Sequence, residues 1–322
     1  MYGAHPIMVH SINISSMVDF VPGSTGRLRK FVASHGWLQR PAREGILRWR
    51  SSRVGHRYRR KKFGMSYFKA KLTMLDHWSS LWTEDDNFYY DLTTRNRSDL
   101  ACLVSLITGE EVQTVDGYIR EIADDLELRE HIKASLVEDS SLRDVCPGFG
   151  RREGWYAFIR TLKPAIVVET GVHHGVGACV ITAALMRNAE EGHRGYYFGT
   201  DIDLNSGFLL KGKYREYGEI LFGDSIKSID ALQLKIDIFI NDSDHSAEYE
   251  WLEYKAVESK LSECSLVLGD NSHVTSALNK WSRAQGRPFA FFKEEPREHW
   301  YPGAGIGVSP TSVPLISSNG KF

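Results

Sequence analysis

From Lys163 onward, short apolar runs alternate with longer stretches of helical character. The runs are AIVVE at 165–169, YYFGT at 196–200, EILF at 219–222, IDIFIN at 236–241 and SLVLG at 265–269, several of them apolar at nearly every position. Strands apolar on both faces belong to a parallel sheet covered by helices on each side. The intervening stretches VGACVITAALMRNAEE and AEYEWLEYKAVESKLSE are long enough for crossover helices. The pattern predicts an α/β fold, a Rossmann-like doubly wound sheet, mostly parallel. Two further runs, PFAFFKE at 288–294 and GIGVS at 305–309, stand only ten residues apart. That gap is too short for a comfortable helical crossover, so the sheet is expected to end in an antiparallel pair.

Upstream the period changes. Residues 66–147 read as an acidic helical region of two or three amphipathic helices, a lid or auxiliary unit packed on the domain that follows. Ser98 is a candidate cap for DLACLVSLITG, which stops at Gly109, and Tyr118, Ile119, Ile122 and Leu126 recur at helical spacing. The run from Cys146 to Gly150 marks the next boundary, giving a division into 1–65, 66–147 and 148–322. The first of these holds 13 Lys and Arg against only Asp19 and Glu44, so a basic arm precedes an acidic body although the whole chain carries a net charge of -1. Its basic residues are interleaved with Phe31, Trp37, Trp49 and Tyr58, a composition able to contact an anionic surface, membrane or nucleic acid. The plainer alternative is a flexible extension, with Gly and Pro interrupting any long helix.

Composition narrows the class. A chain of 322 residues, 42% hydrophobic and 25% charged, buries a sizeable core, and no run of about 18 apolar residues is present to span a bilayer. Cys102, Cys146, Cys179 and Cys264 lack C-x-x-C spacing, which argues against a zinc knuckle or a disulfide framework. With no secretory signal pattern, a cytoplasmic location is the expectation.

In an open α/β sheet, ligands bind at the carboxyl ends of the strands. The first predicted strand ends in Glu169-Thr-Gly171-Val-His-His-Gly175-Val-Gly177, whose glycines admit close backbone approach while Glu169 can accept from hydroxyl or ammonium donors. An acid at this turn disfavours a pyrophosphate, and the dinucleotide fingerprint is absent. The second strand ends at Asp201, placed to take the hydroxyls of a ribose, and the third run is followed by Asp224, able to accept from an exocyclic amine. A glycine turn and a series of acids suit a cationic nucleoside without phosphates, a description that S-adenosylmethionine fits.

Beyond these, Asp242 follows the fourth strand and Asp270-Asn271 the fifth. Two carboxylates and an amide carbonyl suit Mg2+ or another hard divalent cation. Asp244 is an alternative to Asp242, and Asp270-Asn271 would instead cap a helix beginning near Ser272.

ETGVHHGVGA, GTDID, GDS, INDSDHS and LVLGDNSH together resemble a class I S-adenosylmethionine-dependent methyltransferase, similar to the metal-dependent small-molecule O-methyltransferases of the catechol and caffeoyl-coenzyme A type. The resemblance covers roughly residues 150–310. It implies that Glu169, Gly171 and Gly175 serve the methionine end, Asp201 the ribose and Asp224 the adenine. It also implies that Asp242, Asp270 and Asn271 bind the metal. Where that family often carries a lysine base, this chain has His245, with His273 and His299 as competitors; His173 and His174 shape the turn.

The activity implied is in-line methyl transfer to a hydroxyl of a small acceptor such as a sugar, polyketide or phenolic natural product. Trp300 and Tyr301 would wall the pocket, with Trp78, Trp82, Tyr89 and Tyr90 further out. An RNA methyltransferase using the basic arm and a non-catalytic cofactor-binding scaffold are the competing readings. The acidic body and the missing Asn/Asp-Pro-Pro-aromatic signature oppose the first, and the retained acids oppose the second. Association into a homo-oligomer is compatible with the class.

Overall fold

Neighbouring residues of the central strands point into two different cores, which is why the strands are apolar at consecutive positions. Val167, Ile238, Ile240, Leu266, Leu268, Ile306 and Val308 lie in one core, while Val168, Phe239 and Val267 lie in the other. The computed structural model describes residues 44–45, 47–81, 90–139, 147–270 and 272–314. Phe31, Trp37, Trp82, Tyr89, Cys146 and Asn271 fall outside them.

The sheet contains β1 (Ile166–Thr170), β2 (Tyr196–Asp201), β3 (Gly218–Phe222), β4 (Ile236–Asn241), β5 (Leu261–Gly269), β6 (Ala290–Lys293) and β7 (Gly305–Pro310). Their spatial order is β3-β2-β1-β4-β5-β7-β6. β1 to β5 are mutually parallel, and β7 runs antiparallel between β5 and β6. The order reverses between β1 and β4, which makes their carboxyl ends the switch point of the sheet.

Helices cover both faces. On the first face lie α2 (Thr94–Thr108), α3 (Val112–Ala123), α4 (Leu126–Asp139), α5 (Arg152–Leu162) and α6 (Val176–Glu190), which follow α1 (Arg53–Trp78) in the chain. Leu100, Val104, Val115, Ile119, Trp155 and Ile181 from these helices share a core with the sheet. The second face carries α7 (Ser225–Ala231), α8 (Ala247–Val257) and α9 (Ala277–Ala284), contributing Ile229, Tyr254, Val257, Leu278 and Trp281.

Two local expectations are corrected. The cap of α2 lies five residues ahead of Ser98: Thr93 serves, its side chain accepting from the Asn96 N–H at 3.3 Å, whereas the Ser98 hydroxyl bonds back to the Thr94 carbonyl. Tertiary contacts decide this. The Asn96 side chain donates to the Lys293 carbonyl at 3.0 Å and accepts from the Glu295 N–H at 2.7 Å, which pins the first turn to the segment after β6. In the basic arm, Gly55 and Gly64 do not interrupt α1, because one glycine costs a helix only about 1 kcal/mol. The chain divides into compact units Met1–Thr73 and Met74–Phe322, with α1 crossing the division. Taken alone, α1 has no acid in its first turn and leaves Phe63 82% exposed.

Gly171 is set by the switch point. It has φ of 79°, and a Cβ there would overlap the Asp242 carbonyl. Gly171→Ala should lower stability by at least about 1–3 kcal/mol from the left-handed backbone alone, read as a reduced urea midpoint; an unchanged midpoint would refute the close approach of the two strand ends. Ile119→Ala should cost about 2–5 kcal/mol. Because α3 shares the sheet's core, helix content and tryptophan fluorescence should then fall in one transition. A separate early loss of helix would show that α2 to α4 fold independently.

Candidate active site

Hydrogen bonds extend the parallel ladder past the strand ends and bring the site loops to one level. The Gly171 N–H donates to the Thr200 carbonyl and the Asp242 N–H to the Thr170 carbonyl, each at 2.9 Å. The Asp270 N–H donates to the Asn241 carbonyl at 2.9 Å and the Gly223 N–H to the Asp201 carbonyl at 2.8 Å. Above these ends lies a cavity of about 790 Å³ whose lining includes Glu169, Gly171, Asp201, Asp224, Asp242 and His245.

Glu253 of α8 ties the floor together from below. This fully buried carboxylate accepts from the hydroxyls of Thr170 and Ser243 at 3.2 and 2.7 Å, from the Ser225 hydroxyl and from the Asn241 amide. The ends of β1 and β4 and the start of α7 are thereby fixed to one side chain.

On the left of the switch point, Glu169 is 1% exposed and accepts from the Tyr197 hydroxyl. Burial pushes its carboxyl up to about 8, against the opposing effects of the Tyr197 hydrogen bond and the Arg152 charge. Gly177 makes room for it, since a Cβ there would overlap Glu169 Oε1. Gly175, with φ of 100°, begins α6. Asp201 Oδ2 accepts from the N–H groups of Val172 and His173 at 3.0 and 2.9 Å, so this acid also shapes the glycine loop. Asp224 caps α7 through the Lys227 N–H at 3.0 Å and accepts from the Tyr249 hydroxyl at 3.1 Å.

On the right, Asp242 and Asp270 come together, while Asp244 turns to Ser246, accepting from its N–H at 3.0 Å. Asp270 does not cap a helix, because α9 begins only at Ala277. Both of its oxygens accept from the Arg151 guanidinium through Nε and a terminal nitrogen. Another terminal nitrogen of Arg151 stands 3.6 Å from Glu294. Burial and the Asp270 charge push the Asp242 carboxyl well above its ordinary range; burial also disfavours the Asp270 anion, but Arg151 holds it below that range.

Among the described residues this donor set does not fit a divalent ion. A guanidinium already holds Asp270 bidentately, and no group of three or more His, Cys, Asp or Glu is arranged to hold a metal.

His245 lines the cavity with its Nε2 3.9 Å from Asp242, and burial holds the ring below its ordinary pKa, against the Asp270 charge. Neither of its competitors lines the cavity. His273 is exposed, and His299 is 6% exposed among the rings of Trp78, Tyr90 and Trp300. Tyr301 and Ala304 line the cavity, whereas Trp300 packs on Trp78 at 5.6 Å.

Sequence reading missed Arg151 and Arg152. Cations at the start of a helix oppose its dipole, and two of them opening the apolar stretch GWYAFI are a usable signal of another task.

Residues 168–272 match the family model described as a methyltransferase domain. Among curated proteins no match was found. Solved structures with a similar fold include an O-methyltransferase from Bacillus cereus in complex with SAH, at 10% identity over 59% of this chain and 95% of that one, with a TM-score of 0.44. They also include the O-methyltransferase TomG from Streptomyces achromogenes, involved in tomaymycin synthesis, at 12% identity, 59% and 91% coverage and a TM-score of 0.44. An rRNA methylase from Streptococcus thermophilus matches at 9% identity, 50% and 95% coverage and a TM-score of 0.39. Likeness at this level says nothing about acceptor or chemistry. Residues 168–272, about a third of the chain, are thus similar to a methyltransferase domain.

Proposed function

We propose that this protein methylates a hydroxyl oxygen of a small molecule. The observation that carries the reading is the continuity of one cavity, which joins the acids and glycines of the β1, β2 and β3 ends to Asp242, His245 and Tyr301. Bound S-adenosylmethionine supplies a methyl group on a sulfonium sulfur, open to in-line displacement by an acceptor oxygen. Glu169 and Gly171 would serve its methionine end, Asp201 the ribose and Asp224 the adenine, with Gly175 opening the helix beside them. A cavity of about 790 Å³ is large enough for this nucleoside and a small hydroxylated acceptor together.

His245 is the group we assign to the acceptor proton. Its lowered pKa favours the neutral ring near pH 7, the form able to take up a proton. Tyr301 limits the width of the acceptor side. The Mg2+ suggested by the Asp242, Asp270 and Asn271 pattern is left out of this scheme, because Arg151 holds the oxygens that a metal would need.

Incubation with S-adenosylmethionine and a panel of sugars, polyketides and phenols should release S-adenosylhomocysteine with at least one hydroxylated acceptor. Activity confined to amines or RNA would sink the reading. His245→Asn should lower kcat by about 10²–10⁴-fold with the cofactor Kd unchanged. With that acceptor, excess chelator should leave the rate within about two-fold. Loss of activity that added Mg2+ restores would instead show that a divalent ion displaces Arg151 from Asp270.

A further inference from the structure

Three arginines are buried among the described residues: Arg151, Arg152 and Arg160, at 9, 7 and 3% exposure. Two have carboxylate partners. Arg151 is held by Asp270 and Glu294, and Arg160 by Glu121 and Glu191 together with the Asn188 amide. Arg152 differs: among the described residues no group accepts a hydrogen bond from its guanidinium, and its Nε is buried without a partner. Leaving a buried donor unmatched is costly, and more so when it is charged.

The position of Arg152 identifies what would complete it. Its guanidinium lies 5.7 Å from the ring centre of Trp155, and the Trp155 ring packs at Gly177 beside Glu169 Oε1. Arg152 and Glu169 both line the cavity, and the Arg152 charge opposes the rise of the Glu169 carboxyl. The Arg152 charge also reaches Asp242 and Asp270, but it is Arg151 that holds Asp270 by hydrogen bonds. One corner therefore offers, among the described residues, a guanidinium that no carboxylate holds by a hydrogen bond, next to an acid, the arrangement complementary to an α-amino acid head group. An acceptor carboxylate would meet the same cation, but Glu169 and the glycine loop mark this corner as the donor's end of the cavity.

We propose that Arg152 is the carboxylate-binding residue for the methionyl group of S-adenosylmethionine, its planar fork taking the carboxylate while Glu169 faces the ammonium. This rests on the cofactor reading given above. It makes the site selective for the complete amino acid over a decarboxylated cofactor. Arg152 acts on binding and alignment, not on proton transfer.

Calorimetry with three probes tests it: S-adenosylmethionine, its decarboxylated analogue, and methylthioadenosine, which lacks the whole amino acid chain. The full-length wild-type protein should bind S-adenosylmethionine at least about 10-fold more tightly than the decarboxylated analogue. Arg152→Met should weaken S-adenosylmethionine by about 10- to 100-fold and leave the other two probes within about two-fold. Arg152→Lys, which keeps the charge but loses the fork, should lie between. Equal weakening of all three probes, or no change for S-adenosylmethionine, overturns the proposal. A wild-type ratio near one between the first two probes also overturns it, without need of a variant. If the wild type binds neither S-adenosylmethionine nor methylthioadenosine, the cofactor reading itself fails and the assignment of Arg152 falls with it. Binding of all three that Arg152→Met leaves untouched removes the assignment alone.

Discussion

Carboxylates crowded under one cavity must be neutralised from within the protein, and this constraint governs the site. Glu169, Asp270 and Glu294 are each buried to 1% exposure or less, and Asp242 stands against Asp270. Isolated anions in such a place are too costly, so they protonate, hydrogen-bond or find a cation. All three outcomes occur. Burial raises Glu169 and Asp242, Tyr197 donates to Glu169, and Arg151 clamps Asp270 while approaching Glu294. Removing one partner of such a buried pair typically costs about 3–5 kcal/mol, because the other charge is left behind.

The same constraint links helix α5 to the function of the sheet. Arg151 immediately precedes α5 and Arg152 begins it, so the segment that joins the helical region to β1 carries both cations into the cavity. The Arg151 N–H donates to Glu294 at 3.1 Å, and Glu294 also accepts from the Ala304 N–H at 2.9 Å, which attaches the end of β6 to the cavity wall. Beneath, Glu253 fixes the ends of β1 and β4. The floor is thus cross-linked by charge-assisted hydrogen bonds from opposite sides of the switch point, and a cavity so supported is preorganised for a ligand.

Much of the site was legible because strand ends are visible in a one-dimensional pattern. Apolar runs locate β1 to β5, and the next residues, Gly171, Asp201, Asp224, Asp242 and Asp270, necessarily follow at one edge of a parallel sheet. Roles were less legible. Asp201 and Asp224 look like ligand acids in sequence, yet each also holds backbone N–H groups, of the glycine loop and of α7. Ser98 looks like a cap, but Thr93 serves because contacts with residues 293–295 choose the first turn. His299 looks like a base and is a packed ring.

Sequence alone determined the layer architecture and the rim on which chemistry is placed, because periodicity and glycine placement are local properties that a parallel sheet converts directly into position. Only the tertiary structure decided how charge is distributed there. Arg151 meets Asp270 across 119 residues of chain, and that encounter sets an internal ion pair where the sequence pattern shows only an acid at a strand end. Electrostatic energy depends on separation in space and on burial, and neither can be read from spacing along the chain.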